Sequence, residues 1–140
     1  MSPRIEETRD IAACRALRRE VFIEEQGVSE ADEVDDQDEA AIHLLLTEGG
    51  RPLGTARILI GAGYVKLGRV CVLTYARSKG HGAALIRAAV ARARNLPGIA
   101  EVRLGAQTHA LGFYAALGFT ARGPVFDDAG IPHREMVLSL

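Results

Sequence analysis

The chain has 140 residues, of which 48% are hydrophobic and 25% charged, with a formal net charge of −1. That length builds one hydrophobic core, and the composition is that of a globular chain rather than a disordered one. A charge balance so near zero gives no general attraction for nucleic acid or an anionic membrane, so any basic site has to be local.

The opening residues MSPRIEETRD are charged and carry no apolar run, so no signal peptide is expected. Nowhere do about eighteen apolar residues run together, as a membrane-spanning helix requires. Arg4 to Glu7 are predicted as a short first strand. From Asp10, the residues Ile11, Cys14, Leu17 and Val21 recur every three or four positions with Arg15, Arg18 and Arg19 between them, which predicts an amphipathic helix with Thr8 as its cap. After Phe22 the segment Ile23-Glu24-Glu25-Gln26-Gly27-Val28 leads into an acidic run from Glu30 to Glu39 that holds Asp32, Glu33, Asp35, Asp36 and Asp38. Such a run is ordinarily a solvated loop or a short frayed helix.

Ile42–Thr47 and Leu53–Ile60 are apolar and rich in branched residues, and Glu48-Gly49-Gly50-Arg51-Pro52 between them is turn composition, so an antiparallel hairpin is predicted. Gly61-Ala62-Gly63 breaks the chain before a further strand over Lys66–Leu73, the central one. Arg57 and Arg69 lie inside these apolar strands, where an unpaired charge is expensive. Either they pair with the acidic run or one of them binds an acidic part of a ligand. A helix follows from about Gly82 to Leu96, with Leu85, Ile86, Ala89 and Ala93 on one face and Pro97-Gly98 as its stop. Glu101–Gln107 alternates Val102, Leu104 and Ala106 against polar residues, and fits a strand that returns parallel to the central one through the helical crossover. A short helix over Ala110–Leu117 closes at Gly118, Phe119 opens another strand, and His133 to Leu140 form the last, with Met136 and Leu138 facing one way. The fold class is therefore α/β, with a mixed sheet in one domain over 1–140.

Cys14 and Cys71 show no C-x-x-C spacing and fall on a helix and the central strand, which predicts buried free thiols, a reducing compartment and a cytoplasmic location. No metal is expected.

The chemistry concentrates where the central strand passes into the helix, at Arg77-Ser78-Lys79-Gly80-His81-Gly82-Ala83. A helix start leaves about four backbone N–H groups without intrahelical partners and carries roughly half a positive charge, and glycines there let an anion approach the backbone. Three phosphate-binding patterns use such glycines. A dinucleotide fingerprint beginning at Gly80 would need a third glycine where Leu85 stands, and a Walker loop around Gly49 to Thr55 lacks the lysine after Gly54.

The third pattern, Arg/Gln-x-x-Gly-x-Gly/Ala, is matched in full by Arg77, Gly80, Gly82 and Ala83, and it resembles the turn that holds the coenzyme A pyrophosphate in the GNAT N-acetyltransferase superfamily. A second segment, from Gln107 through His109 and Phe113-Tyr114 to Gly118-Phe119, resembles the family's N-x-x-A-x-x-F/L-Y-x-x-x-G-F. The string Val21-Phe22-x-x-Glu25-Gln26-Gly27-Val28, then Glu33-x-Asp35-x-x-Asp38 and His43, is similar to a small bacterial subgroup of unassigned acceptor.

The resemblance implies a GNAT acyl-CoA N-acyltransferase fold with a mostly antiparallel central sheet flanked by helices, and transfer of the acetyl group of acetyl-CoA directly to a primary amine. It implies that backbone groups of Val70, Cys71 and Val72 pair with the pantetheine arm and serve an oxyanion, that residues 77–83 grip the pyrophosphate, and that the central strand splays from Glu101–Gln107 to admit the cofactor. Tyr114 is the implied general acid. The family's usual asparagine is replaced by Thr108 or His109, either of which can still donate to the pantetheine arm. Glu25 is the first candidate base and His43 the second. Arg57, Arg69 and His133 are candidates for the acceptor side, which the acidic run would wall for a cationic amine.

Two alternatives remain open on the sequence. Cys71 offers a covalent acetyl-enzyme route, against which stands its place in an apolar strand. The replaced asparagine and the unsettled base leave room for a non-catalytic acyl-CoA-binding or regulatory module. The acceptor is a small-molecule amine or a protein amine: amino sugar, polyamine, amino acid, antibiotic, protein N-terminus and lysine all fit. A nucleic-acid partner is disfavoured by the charge balance. A homodimer is expected only from the general frequency of dimers.

Overall fold

The computed structural model describes residues 2–140. Along the chain come β1 (Arg4–Thr8), α1 (Ile11–Arg18), a π-helical continuation (Arg19–Glu25), α2 (Glu30–Glu33), β2 (Ile42–Glu48), β3 (Arg51–Ile60) and β4 (Tyr64–Val72). They are followed by α3 (His81–Arg94), β5 (Glu101–Gln107), α4 (Leu111–Ala116), β6 (Thr120–Asp128) and β7 (Ile131–Ser139), with single 3₁₀ turns at Thr74–Ala76 and Thr108–Ala110. The seven strands form one sheet in the order β1-β2-β3-β4-β5-β7-β6. All neighbours are antiparallel except β4 and β5.

The periodicities place two layers on this sheet. On one face α3 buries Leu85, Ile86, Ala89 and Ala93 against Leu44, Ile58, Val65, Leu67, Val102 and Met136, which form the main core. On the other face Leu17 and Val21 of the first helix pack on Cys71 and Leu73. The crossover is confirmed as parallel, and Met136 is buried opposite Leu104.

Local details differ from the sequence expectation. The first helix is capped by Asp10, whose carboxylate accepts from the Ala13 amide, while the Thr8 hydroxyl accepts from the Asp10 amide, two residues too early to be the cap. After Arg18 the helix widens into π geometry, with the Gln26 amide donating to the Val21 carbonyl. This wider turn sends Val21 into the core while Phe22 and Gln26 line the open part of the sheet.

The acidic run is not a solvated loop throughout. Asp38 is 3% exposed and accepts from Arg15, Arg18 and Arg57, and Asp35 accepts from both terminal nitrogens of Arg57. Burial works to raise the Asp38 carboxyl, but the hydrogen bonds from Arg18, Arg15 and Arg57 outweigh it and hold it well below the usual carboxylate range. Arg57 and Arg69 thus take the first of their two expected roles. Arg69 donates to the Glu33 carbonyl at 2.9 Å and stands 3.4 Å from the Asp35 carboxylate. These contacts fasten the segment between α1 and β2 over β3 and β4.

Candidate active site

The parallel strands β4 and β5 pair only at Tyr64–Glu101, Val65–Val102 and Lys66–Arg103. Beyond that point they separate, and the β4 edge from Leu67 to Val72 has no β5 partner. A bulge accompanies the separation. Thr55 pairs with Cys71 and Arg57 with Gly68, so Ala56 of β3 faces both Arg69 and Val70, and Arg69 takes a left-handed backbone with φ 50°. A backbone edge left unpaired beside a gap is a template for an extended ligand.

The gap opens into a cavity of about 690 Å³. Its floor is formed by Leu67, Gly68, Val70, Leu104 and Gly105, with Tyr114 from α4 and His133 from β7 at its sides. Gly105 lies close under a ring: a Cβ there would stand 3.3 Å from Phe126, which would have to give by a few tenths of an ångström. An isolated glycine within a strand signals such a close approach, and this one could have been read from the sequence. Nothing local to the sequence places Tyr64, Gln107 and Gln26 together on one cavity, which all three line. They converge only through the topology.

At the far end of β4 the chain turns through Thr74–Ala76 into α3. Ser78 and Gly80 have positive φ, 65° and 80°. Gly80 occupies the N-cap of α3 with no side chain to cap the helix, so the amides of His81, Gly82 and Ala83 face outward with the positive end of the helix behind them. A Cβ on Gly80 would meet nothing within 4 Å, and one on Gly82 only the Phe113 ring at 3.7 Å. Lys79 is exposed beside the turn. The residues present therefore fit an anionic group such as a pyrophosphate. Arg77 is differently placed: its Nε donates to the Val72 carbonyl and its two terminal nitrogens donate to Glu25. It braces the turn against β4 and the π-helical segment.

The sequence candidates separate accordingly. Tyr114 lies on the cavity, half-buried, its ring edge-on to Phe113 and Phe119, and burial raises its phenol above the ordinary value. Val70 reaches the cavity, whereas Cys71 and Val72 point their side chains into the core. Burial pushes the Cys71 thiol up to about 12. Glu25 stands outside the cavity lining; the hydrogen bonds from Arg77, with a further one from Thr74, hold its carboxyl below the ordinary range. His43 is 2% exposed with Nε2 against the Asp38 carbonyl, so it too lies away from the cavity. His109 donates from Nε2 to Gln107 at 2.6 Å, and Gln107 in turn reaches Gln26 at 3.4 Å. Arg57, Arg69 and His133 all line the cavity.

A tyrosine at an opened parallel pair, an unpaired strand edge and a bare helix start together suit transfer of an acyl group from a long anionic carrier. The comparisons agree. Residues 8–140 match the family profile described as an acetyltransferase (GNAT) domain. The chain is 38% identical to the uncharacterized protein YyaT of Bacillus subtilis over 133 residues, covering 93% of this chain and 89% of that protein. It is 37% identical to the uncharacterized N-acetyltransferase YjcF of the same organism over 122 residues, covering 86% of each. A crystal structure of an acyl-CoA N-acyltransferase from Pseudomonas aeruginosa superposes with a TM-score of 0.87 at 31% identity, covering 98% of both chains.

Proposed function

Because the chain belongs to the GNAT acetyltransferase family, we propose that it transfers the acetyl group of acetyl-CoA directly to a primary amine while both substrates are bound. The observation that carries this reading is the separation of β4 from β5, which leaves the β4 edge unpaired beside a cavity that Tyr114 lines, with the bare start of α3 following the end of that strand.

On this reading the pyrophosphate is held by the amides of His81, Gly82 and Ala83 with Lys79 nearby, and the pantetheine arm lies along the unpaired β4 edge. The bulged backbone at Val70 offers an amide to the oxyanion that forms on the thioester carbonyl, where a fixed donor is most effective. The amine nitrogen attacks the carbonyl carbon, the C–S bond breaks, and Tyr114 gives its proton to the leaving sulfur. The raised phenol supports this assignment, since it keeps the proton in place at neutral pH. An amine with pKa near 10.4 must first be uncharged, which costs about 4–5 kcal/mol at neutral pH and calls for a base or a desolvated pocket. Cys71 is disfavoured as a covalent relay, because a buried thiol so hard to ionise is a poor nucleophile.

The test is calorimetric titration with acetyl-CoA and with CoA, followed by a thiol-release assay over spermidine, glucosamine, glycinamide and lysine. Binding with amine-dependent thiol release is expected. Absence of binding to either ligand would sink the transferase reading, and binding without turnover across amine classes would favour a non-catalytic acyl-CoA-binding module.

A further inference from the structure

The cavity is lined by several groups able to accept a proton, and its carboxylates are either ion-paired or exposed at the rim. Both oxygens of Asp35 accept from Arg57. Glu33 is 6% exposed, with Arg18 at 3.2 Å and Arg69 at 3.7 Å. Asp32 and Asp128 stand exposed at the rim, where water screens them. Glu25 and His43 do not line the cavity.

His133 differs from all of these. It is 8% exposed, lies opposite Gln107 in the β5–β7 pairing, and reaches the cavity where β4 has moved away from β5. Its Nδ1 is 2.7 Å from the Ile131 carbonyl oxygen. A carbonyl only accepts, so Nδ1 carries the hydrogen, and in the neutral ring Nε2 is left with a bare lone pair. The ring stacks on Phe126, with centroids 5.8 Å apart and planes at 27°, which fixes its orientation. No hydrogen bond to Nε2 and no carboxylate partner of the imidazole is found among the described residues. A ring with one nitrogen tied to the backbone and the other free beside the cavity has the arrangement of a general base.

Resting on the transferase reading, we infer that His133 is the general base of the reaction: Nε2 takes one proton from the ammonium of the acceptor and leaves the amine lone pair free to attack. The proton balance closes. The ammonium gives its first proton to Nε2, and its nitrogen forms the C–N bond as the C–S bond breaks. The leaving sulfur takes the Tyr114 proton, and the second proton lost by the amine nitrogen restores the phenol. The imidazolium then releases its proton to solvent, so each turnover yields amide, free thiol and one proton.

Two measurements test this, and only one needs turnover. With whichever of spermidine, glucosamine, glycinamide or lysine releases thiol, His133→Gln should lower kcat about 10²-fold or more while leaving the KM for acetyl-CoA within about two-fold, and added imidazole should restore turnover to His133→Ala. Unchanged kcat in His133→Gln would overturn the assignment. Independently, nitrogen NMR of protein labelled with ¹⁵N-histidine, assigned with His133→Gln, should find Nδ1 protonated and Nε2 bare in the neutral ring. An Nε2-protonated tautomer would remove the lone pair and overturn the assignment even if no amine in the panel is accepted. A protein that turns over no amine yet shows the expected tautomer counts against the transferase reading and not against the imidazole geometry.

Discussion

Arg77 and Glu25, far apart in the chain, meet through two hydrogen bonds, Nη1 to Oε2 at 2.5 Å and Nη2 to Oε1 at 2.6 Å. The third Arg77 nitrogen holds the Val72 carbonyl, so one guanidinium links the end of β4, the π-helical segment and the turn that opens α3. This pairing gives Glu25 a bracing role and occupies both of its carboxylate oxygens.

Glu25→Gln removes the charge but keeps the shape. The pair is more than a third exposed on both sides, so its contribution is at most about 1 kcal/mol, or roughly five-fold in an equilibrium. The expected outcome is a KM for acetyl-CoA raised by no more than about five-fold with kcat changed less than about three-fold. Steady-state kinetics check this, and a collapse of kcat alone would return Glu25 to the role of base.

Gly82→Glu places a carboxylate where an anion is proposed to sit. Space is available, since only the Phe113 ring at 3.7 Å adjoins the new Cβ, and an acidic residue in the first turn complements the helix dipole. Thermal stability should therefore hold or rise slightly while affinity for both acetyl-CoA and CoA falls about 100-fold or more, the cost expected for repulsion plus obstruction at a charged site. Calorimetry and a melting curve on the same sample separate loss of site from loss of fold.

Tyr114→Phe removes a hydroxyl without removing the ring that packs edge-on to Phe113 and Phe119. General acid catalysis contributes about 10²–10⁴-fold. An ordinary thiol is more acidic than a phenol, so donation to a departing thiolate gains least, and the lower end is expected. A kcat reduced about 100-fold with unchanged acetyl-CoA affinity is the predicted result. Since burial raises the phenol, wild-type activity should not lose this acid until the pH passes above its ordinary value near 10.

Much of the sheet was legible because its signals are local. Alternation marked Glu101–Gln107, Gly49-Gly50 marked the β2–β3 turn, and the glycines at 80 and 82 marked the anion-fitting helix start. The π-helical turn at Arg19–Glu25 was not legible, because its apolar residues fit an α-helical period almost as well. The partner of Glu25 was hidden for another reason. A carboxylate on a helix gives no sign of whether it will meet solvent, substrate or an arginine from a later strand. His133 likewise gained its tautomer from the backbone of Ile131 and its orientation from Phe126, neither of which a sequence pattern encodes.

Cys71→Ala bears on the route of transfer. The thiol is 5% exposed and packed with Leu17, Val21 and Leu73, and burial pushes it up to about 12. Direct transfer predicts that the variant retains kcat within about three-fold and loses about 1 kcal/mol of stability or less for one small buried group. Rapid-quench kinetics of the wild type should show no acetyl-enzyme burst.

Asp38→Asn tests the ion network that fastens the acidic segment over β3 and β4. Arg18 and Arg57 are 3% and 5% exposed, and both donate to Asp38. Removing the shared carboxylate takes one counter-charge from two buried guanidinium groups, but Arg57 keeps Asp35 and Arg18 keeps Glu33. The cost is therefore expected below the ~3–5 kcal/mol of an uncompensated buried charge. The pH dependence has a definite sign. The Asp38 carboxyl is held lower in the folded chain than in the unfolded one, where an aspartate titrates near 3.9, so its contribution is fully present above about pH 4–5 and is lost progressively as the pH falls below that. Urea unfolding at pH 7 should show the wild type well above Asp38→Asn, and the difference should shrink toward pH 3. A gap that stays constant across that range would mean that packing around the side chain, and not its charge, supplies the stability.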